Sequence, residues 1–240
     1  MKTVMAVACA ISASLASAHN LWIEPTSSDM QAVYGEPEIR LSERSPGKLD
    51  GLVITRSERT TMPEPKLPEA IPVTWRKEGA GFRLQGAKGD TGMLVEARST
   101  VVRSDASSHG ATQAFYYARH AVWPLVPTAP AMTLDIVPTS EPYTFAVHFN
   151  GAPLKRGTLK VIAPSLWLQV HDIDEQGLVR IHAPWRGQYV LDVDTREQRS
   201  GEVAGQRYDS MVHRATLSFS TPEGAVFENP RPAQYRTNYQ

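Results

Sequence analysis

One cysteine, Cys9, is all that the 240 residues contain, and it stands in a segment that export is expected to remove. Without paired thiols there is no disulfide framework, no thiolate metal site and no cysteine nucleophile, even in a compartment that permits disulfides. Net charge is lacking too, since 25 Lys and Arg balance 25 Asp and Glu. Nothing in that balance attracts nucleic acid or an anionic membrane. Beyond residue 18 no apolar run reaches membrane length. There is no nucleophile-elbow pattern, no phosphate-cradling glycine motif and no nucleic-acid module. The five tryptophans are scattered through β-like sequence, where they serve mainly as core volume.

What is present begins at the amino terminus. Lys2 is followed by an apolar run from Val4 to Leu15 and then by Ala16-Ser17-Ala18. A basic start, a short apolar stretch and small residues before the cut describe a signal peptide, so residues 1–18 are expected to be removed and the mature chain to start at His19. A lipoprotein cut before Cys9 is the rival, but only eight residues precede Cys9 and the apolar run continues past it. Export places the protein in the periplasm, and the 222 residues that remain of 240 can bury a sizeable core.

Along those residues the dominant pattern is period-two alternation closed by Gly, Pro or Asx. Strands are expected at Ala32–Tyr34, Leu52–Thr55, Val73–Trp75, Gly81–Leu84, Gly92–Arg98, Gln113–Val122, Thr133–Val137, Thr144–Phe149, Thr158–Ile162, Trp167–His171, Val179–Ala183, Gln188–Val193 and Arg214–Phe219, with a further one around Leu21 to Glu24. The fold class is all-β. Pro124, Pro127 and Pro130 cannot pair in a sheet interior and suggest a connection. Two β-sandwich domains follow from this, at 19–130 and 131–225, with an irregular tail at 226–240. In the second, Asn150-Gly151, the Asp172 to Gly177 turn and Arg186-Gly187 give the cadence of small transthyretin-like or immunoglobulin-like sandwiches.

Four motifs carry a resemblance: H-N-L-W-I-E-P at His19 to Pro25, L-D-I-V-P-T-S-E-P at Leu134 to Pro142, F-N-G-A-P-L at Phe149 to Leu154, and Y-D-S-M-V-H-R-A-T-L-S-F at Tyr208 to Phe219. Together they resemble domain-of-unknown-function family 4198, exported bacterial proteins some of which are described as periplasmic parts of nickel or cobalt uptake. The resemblance implies metal delivery and a partner such as a membrane metal transporter or another envelope protein. Where many relatives have a histidine just after the strand ending near Val193, this chain has Asp194, Thr195 and Arg196. A metal site using that position would be altered or absent.

His19 supplies chemistry of its own. An amino-terminal histidine offers its α-amine and ring Nδ1 as a compact chelate, and a second histidine would complete a three-nitrogen set. Such a set suits Cu(II) above Ni(II). The α-amine has an ordinary pKa of about 7.7 to 8.0, so metal binding would release protons near neutrality.

His213 in the last motif is the first candidate for a second ligand and His120 the next, with Glu24 and Asp209 as carboxylates. Each has an ordinary alternative as a satisfied or solvated strand residue. His148, His171 and His182 fit core positions better than ligands, and His109 sits in a Ser-rich loop. The expected function is periplasmic copper or nickel binding in delivery or homeostasis. A copper-dependent oxidative enzyme and a metal-free envelope interaction module are the rivals.

Overall fold

The computed structural model describes residues 19–26, 29–39, 41–42, 49, 53–57, 74–78, 81–87, 92–105 and 110–227. The expected signal peptide, His109 and the tail from 228 onward lie outside them. So do Leu52 and Val73, the first residues of two expected strands.

Among the described residues the chain forms strands and one short 3-10 turn, Pro37–Ile39, with no α-helix. The first half holds β1 (Asn20–Pro25), β2 (Met30–Glu36), β3 (Leu41–Ser42), β4 (Val53–Ser57), β5 (Thr74–Glu78), β6 (Gly81–Gln85), β7 (Gly92–Arg98), β8 (Arg103–Asp105) and β9 (Gly110–Ala121). After the proline-rich stretch come β10 (Leu134–Pro138), β11 (Thr144–Phe149), β12 (Ala152–Pro153), β13 (Thr158–Ile162), β14 (Leu168–Asp172), β15 (Leu178–Arg180) and β16 (Trp185–Glu197). The last are β17 (Gly201–Val203), β18 (Gln206–Tyr208), β19 (Ser210–Thr221) and β20 (Ala225–Val226).

The all-β expectation holds. Local turn chemistry behaves as its residues dictate, with Asn150 and Gly151 both at positive φ (52° and 76°) between β11 and β12. Arg186-Gly187 is not a turn. Gly187 takes φ 129° inside β16 and still pairs with Thr221, so the strand starts at Trp185 rather than 188.

A nine-stranded central sheet runs β14-β13-β16-β19-β9-β7-β4, with β8 on β9 and β20 on β16. One face is covered by the sheet β1-β2-β6-β5, with β3 beside β2; the other is covered by β10-β11-β12, with β15 beside β11. Alternation in the central strands explains both cores. On β9 Tyr116 and Ala118 join Leu21, Ile23, Met30, Tyr34 and Phe82, whereas Tyr117 joins the opposite cluster of Leu134, Ile136, Phe145, Leu191, Leu217 and Phe219. A smaller cluster of Trp22, Val33, Ile162 and Val190 extends the first interface.

The two halves of the chain share this central sheet. β9 and β19 pair in parallel from Ser210↔Thr112 to Phe219↔Ala121, so the boundary expected at residue 130 divides the sequence but not the hydrogen-bonded structure. The physical reason is that β19 has two long neighbours, β16 on one side and β9 on the other, and leaves no free edge between the halves. Across the proline stretch, Arg119 on β9 and Asp135 on β10 form a buried pair, Nε to Oδ1 at 2.9 Å and Nη2 to Oδ2 at 2.5 Å. No helix among the described residues is long and apolar enough to cross a membrane.

Candidate functional site

His19 stands immediately before β1, and what fixes it is the way β1 meets the central sheet. β2 pairs with one edge of β1. On its other edge, three carbonyls two residues apart meet side chains two residues apart on β19. Arg214 Nη1 donates to the His19 oxygen at 3.2 Å, Thr216 Oγ1 to Leu21 at 2.7 Å and Ser218 Oγ to Ile23 at 2.7 Å. Gln188 Nε2 adds a second bond to the Ile23 oxygen at 3.0 Å. Matching period-two spacings let facing-sheet side chains satisfy edge carbonyls that would otherwise lie buried without partners.

The His19 ring stacks on Tyr34 with centroids 5.4 Å apart and planes at 27°. Tyr34 in turn meets Tyr116 edge-on, their hydroxyl oxygens 3.2 Å apart. His19 is half-buried, with its Nδ1 facing the protein interior. The residue that would carry the chelate is thus seated on a fixed strand.

The other expected ligands go elsewhere. His213 is 2% exposed, and its neighbour Arg214 already points at His19. Strand alternation sends His213 to the opposite face of the central sheet, where its ring packs against Phe115, Tyr117 and Phe149. Its Nδ1 is 3.0 Å from the Tyr117 hydroxyl and its Nε2 3.4 Å from Glu197 Oε2. Burial pulls the His213 pKa below its ordinary value, opposed in part by Glu197. Burial also pushes the Tyr117 hydroxyl up to about 12. This is a buried aromatic-imidazole cluster, and it shares no face with His19.

His120 is on the His19 side of β9 but in register with Ser218, four residues along β19 from Arg214, or about 13 Å at the usual strand rise. Glu24 Oε1 accepts the Trp22 indole N–H at 2.7 Å. Asp209 Oδ2 accepts the Ala111 amide at 2.9 Å, while its own amide donates to the Ala111 oxygen at 2.8 Å, tying the start of β19 to β9. Of the remaining histidines, His171 Nε2 meets Gln169 Oε1 at 3.2 Å, and Gln169 holds the His182 carbonyl at 2.9 Å. Among the described residues no three His, Cys, Asp or Glu side chains converge as a metal site.

Sequence reasoning singled out His19 but not Tyr34, Arg214, Thr216 and Ser218, which hold it. The available signal was the even-numbered polar row Arg214, Thr216, Ser218 set against the odd apolar row Ala215, Leu217, Phe219. The departure noted at Asp194 lies beside this site, since Asp194 is the cross-strand partner of Arg214. No family model matches the chain and no curated protein does, so the resemblance to family 4198 stays with the four motifs.

Proposed function

We propose that the mature chain is a periplasmic carrier of a divalent transition metal, Cu(II) ahead of Ni(II), held through the α-amine and Nδ1 of His19 alone. The observation behind this is the seating of His19, with its carbonyl bonded to Arg214 and its ring on Tyr34. A chelating pair on a fixed backbone loses little conformational freedom on binding. Nδ1 faces the interior in the structure, so chelation beside the α-amine requires the ring to turn outward, which leaves the remaining coordination positions to water or to a receiving protein. That suits transfer better than storage. Removal of residues 1–18 would be the step that creates the α-amine.

Calorimetric titration of Cu(II), Ni(II) and Zn(II) tests the proposal, using protein whose terminus is verified by mass spectrometry. One-to-one binding should be lost in His19→Ala and in a chain carrying one additional alanine ahead of His19. Unchanged affinity in the extended chain would exclude the α-amine and defeat the proposal.

A second reading, an envelope interaction module, draws on β14, which among the described residues pairs only with β13 and ends the central sheet. On β14 Leu168 and Val170 are 41% and 60% exposed, and the adjoining Trp167 is 47% exposed. Apolar residues on an unpaired edge strand favour addition of another strand. A chain without metal affinity that binds an extended peptide along β14 would favour this reading.

A further inference from the structure

The seam between the first sheet and the central sheet contains a buried carboxyl beside an ammonium group. Asp192 on β16 is 4% exposed and lies in register with Lys160 on β13 and Thr216 on β19. Thr216 gives its hydroxyl proton to the Leu21 carbonyl. Lys160 Nζ reaches two carboxylates in different layers, Glu38 Oε1 at 3.3 Å in the turn following β2 and Asp192 Oδ2 at 3.8 Å within the central sheet. The Lys160–Glu38 bond therefore fastens one layer to the other, and Asp192 competes for the same ammonium.

We infer that Asp192 is a proton-operated clamp on this seam: neutral, it leaves Lys160 to Glu38 and the layers closed; ionised, it weakens the hold on the layer that carries β1. The charged groups acting on Asp192 are Lys160 from β13, Glu38 from the first sheet's turn, Asp194 on its own strand and Arg214 from β19. Glu38 and Asp194 oppose its ionisation, whereas Lys160 and Arg214 favour it. Burial is the largest influence and lifts the carboxyl from 3.8 to about 7. Against desolvation, Asp192 and Glu38 keep the Lys160 ammonium above its ordinary value, so Lys160 stays charged while Asp192 titrates.

The sign follows from linkage. A carboxyl with a raised pKa in the closed state binds its proton more tightly there than when exposed, so its contribution to closure is complete below about pH 4, is lost as pH rises from there through about 7, and changes little above that. If opening returns Asp192 to its ordinary value, the opening equilibrium rises roughly fifty- to hundredfold between pH 5 and pH 8. This inference is independent of the metal reading.

Metal-free mature protein provides the test, by carboxyl carbon NMR titration and amide hydrogen exchange corrected for intrinsic rates. Asp192 should titrate near neutrality, and β1 and β2 amides should exchange fifty- to hundredfold faster at pH 8 than at pH 5. Amides of β10 and β11 should not follow. Asp192→Asn should abolish the pH dependence, and Glu38→Gln, which removes a negative neighbour, should lower the Asp192 titration midpoint. Titration of Asp192 below pH 5, equal acceleration in every strand, or an unchanged dependence in Asp192→Asn would overturn the inference.

Discussion

Breaking the Arg119–Asp135 pair should destabilise the whole molecule, because that pair closes the path between β9 and β10. The Arg119 and Asp135 side chains are 3% and 0% exposed. Besides two bonds from Arg119, the carboxylate accepts the backbone amides of Ala131 at 2.8 Å and Met132 at 3.3 Å. In Asp135→Asn a buried guanidinium loses its counter-charge, and one amide N–H faces donors in place of an acceptor. Removing one partner of a buried pair costs about 3 to 5 kcal/mol, against a total stability of about 5 to 15 kcal/mol. Arg119→Met should cost less than that, since the two backbone amides still serve the carboxylate. The double variant Arg119→Met/Asp135→Leu should lie within about 2 kcal/mol of the parent, because a packed apolar replacement removes both desolvation costs. Urea unfolding of the parent, Arg119→Met, Asp135→Leu and the double variant completes the cycle. Glu96, whose carboxyl is raised by burial and then by Asp135, should titrate lower in Asp135→Asn. Additive single costs, or a single-variant loss below about 1 kcal/mol, would refute the reasoning.

The shared central sheet predicts that residues 19–130 and 131–227, produced separately, will each fail to unfold cooperatively; calorimetry of each fragment and of their mixture checks this. Gly110→Ala should cost about 1 to 2 kcal/mol in denaturant, because Gly110 sits at φ 66° and a Cβ there would meet the Asp209 carboxylate. Thr216→Val removes the buried donor to Leu21 while keeping the shape, and should cost about 1 to 3 kcal/mol. Hydrogen exchange in that variant should rise first in β1.

Much of the fold was legible because most core strands alternate. Gly92–Arg98, Thr144–Phe149 and Thr158–Ile162 have the expected limits, since each is an apolar-rich run bounded by turn residues, whether it buries one face, as Thr144–Phe149 does, or both, as Met93 and Leu94 do in Gly92–Arg98. The β17–β18 hairpin escaped notice because its strands, Gly201–Val203 and Gln206–Tyr208, are three residues long and mostly polar, although Gly205 at φ 78° beside Ala204 at φ 48° closes the turn. The pairing of β9 with β19 was beyond local pattern. It joins segments 98 residues apart, Thr112 with Ser210, in parallel and without a connecting turn to announce it. A proline stretch between two β-rich halves suggests a linker equally well whether the halves separate or interleave.

His19 and His213 look like a ligand pair by composition and motif, yet parity separates them. Met211, His213, Ala215, Leu217 and Phe219 are odd positions of one strand, and Ala215, Leu217 and Phe219 belong to the core beneath β10 and β11. The same alternation sends Arg214, Thr216 and Ser218 to β1. A sheet backbone lies between the two imidazoles, so their roles should be separable by experiment. His213→Phe should leave metal affinity within about twofold of the parent, as expected for sites that share no partner. It should change acid stability instead. A histidine whose folded pKa is depressed makes the folded state bind fewer protons, so stability falls as pH drops below 6.5 toward the folded value, by at most about 1.4 kcal/mol per pH unit. Unfolding free energy measured from pH 7.5 to 4.5 should lose that component in His213→Phe and retain it in His19→Ala, whereas metal affinity should show the reverse. Loss of metal binding in His213→Phe would mean that both rings reach one ion, which requires β19 to present His213 and Arg214 to the same layer against strand alternation.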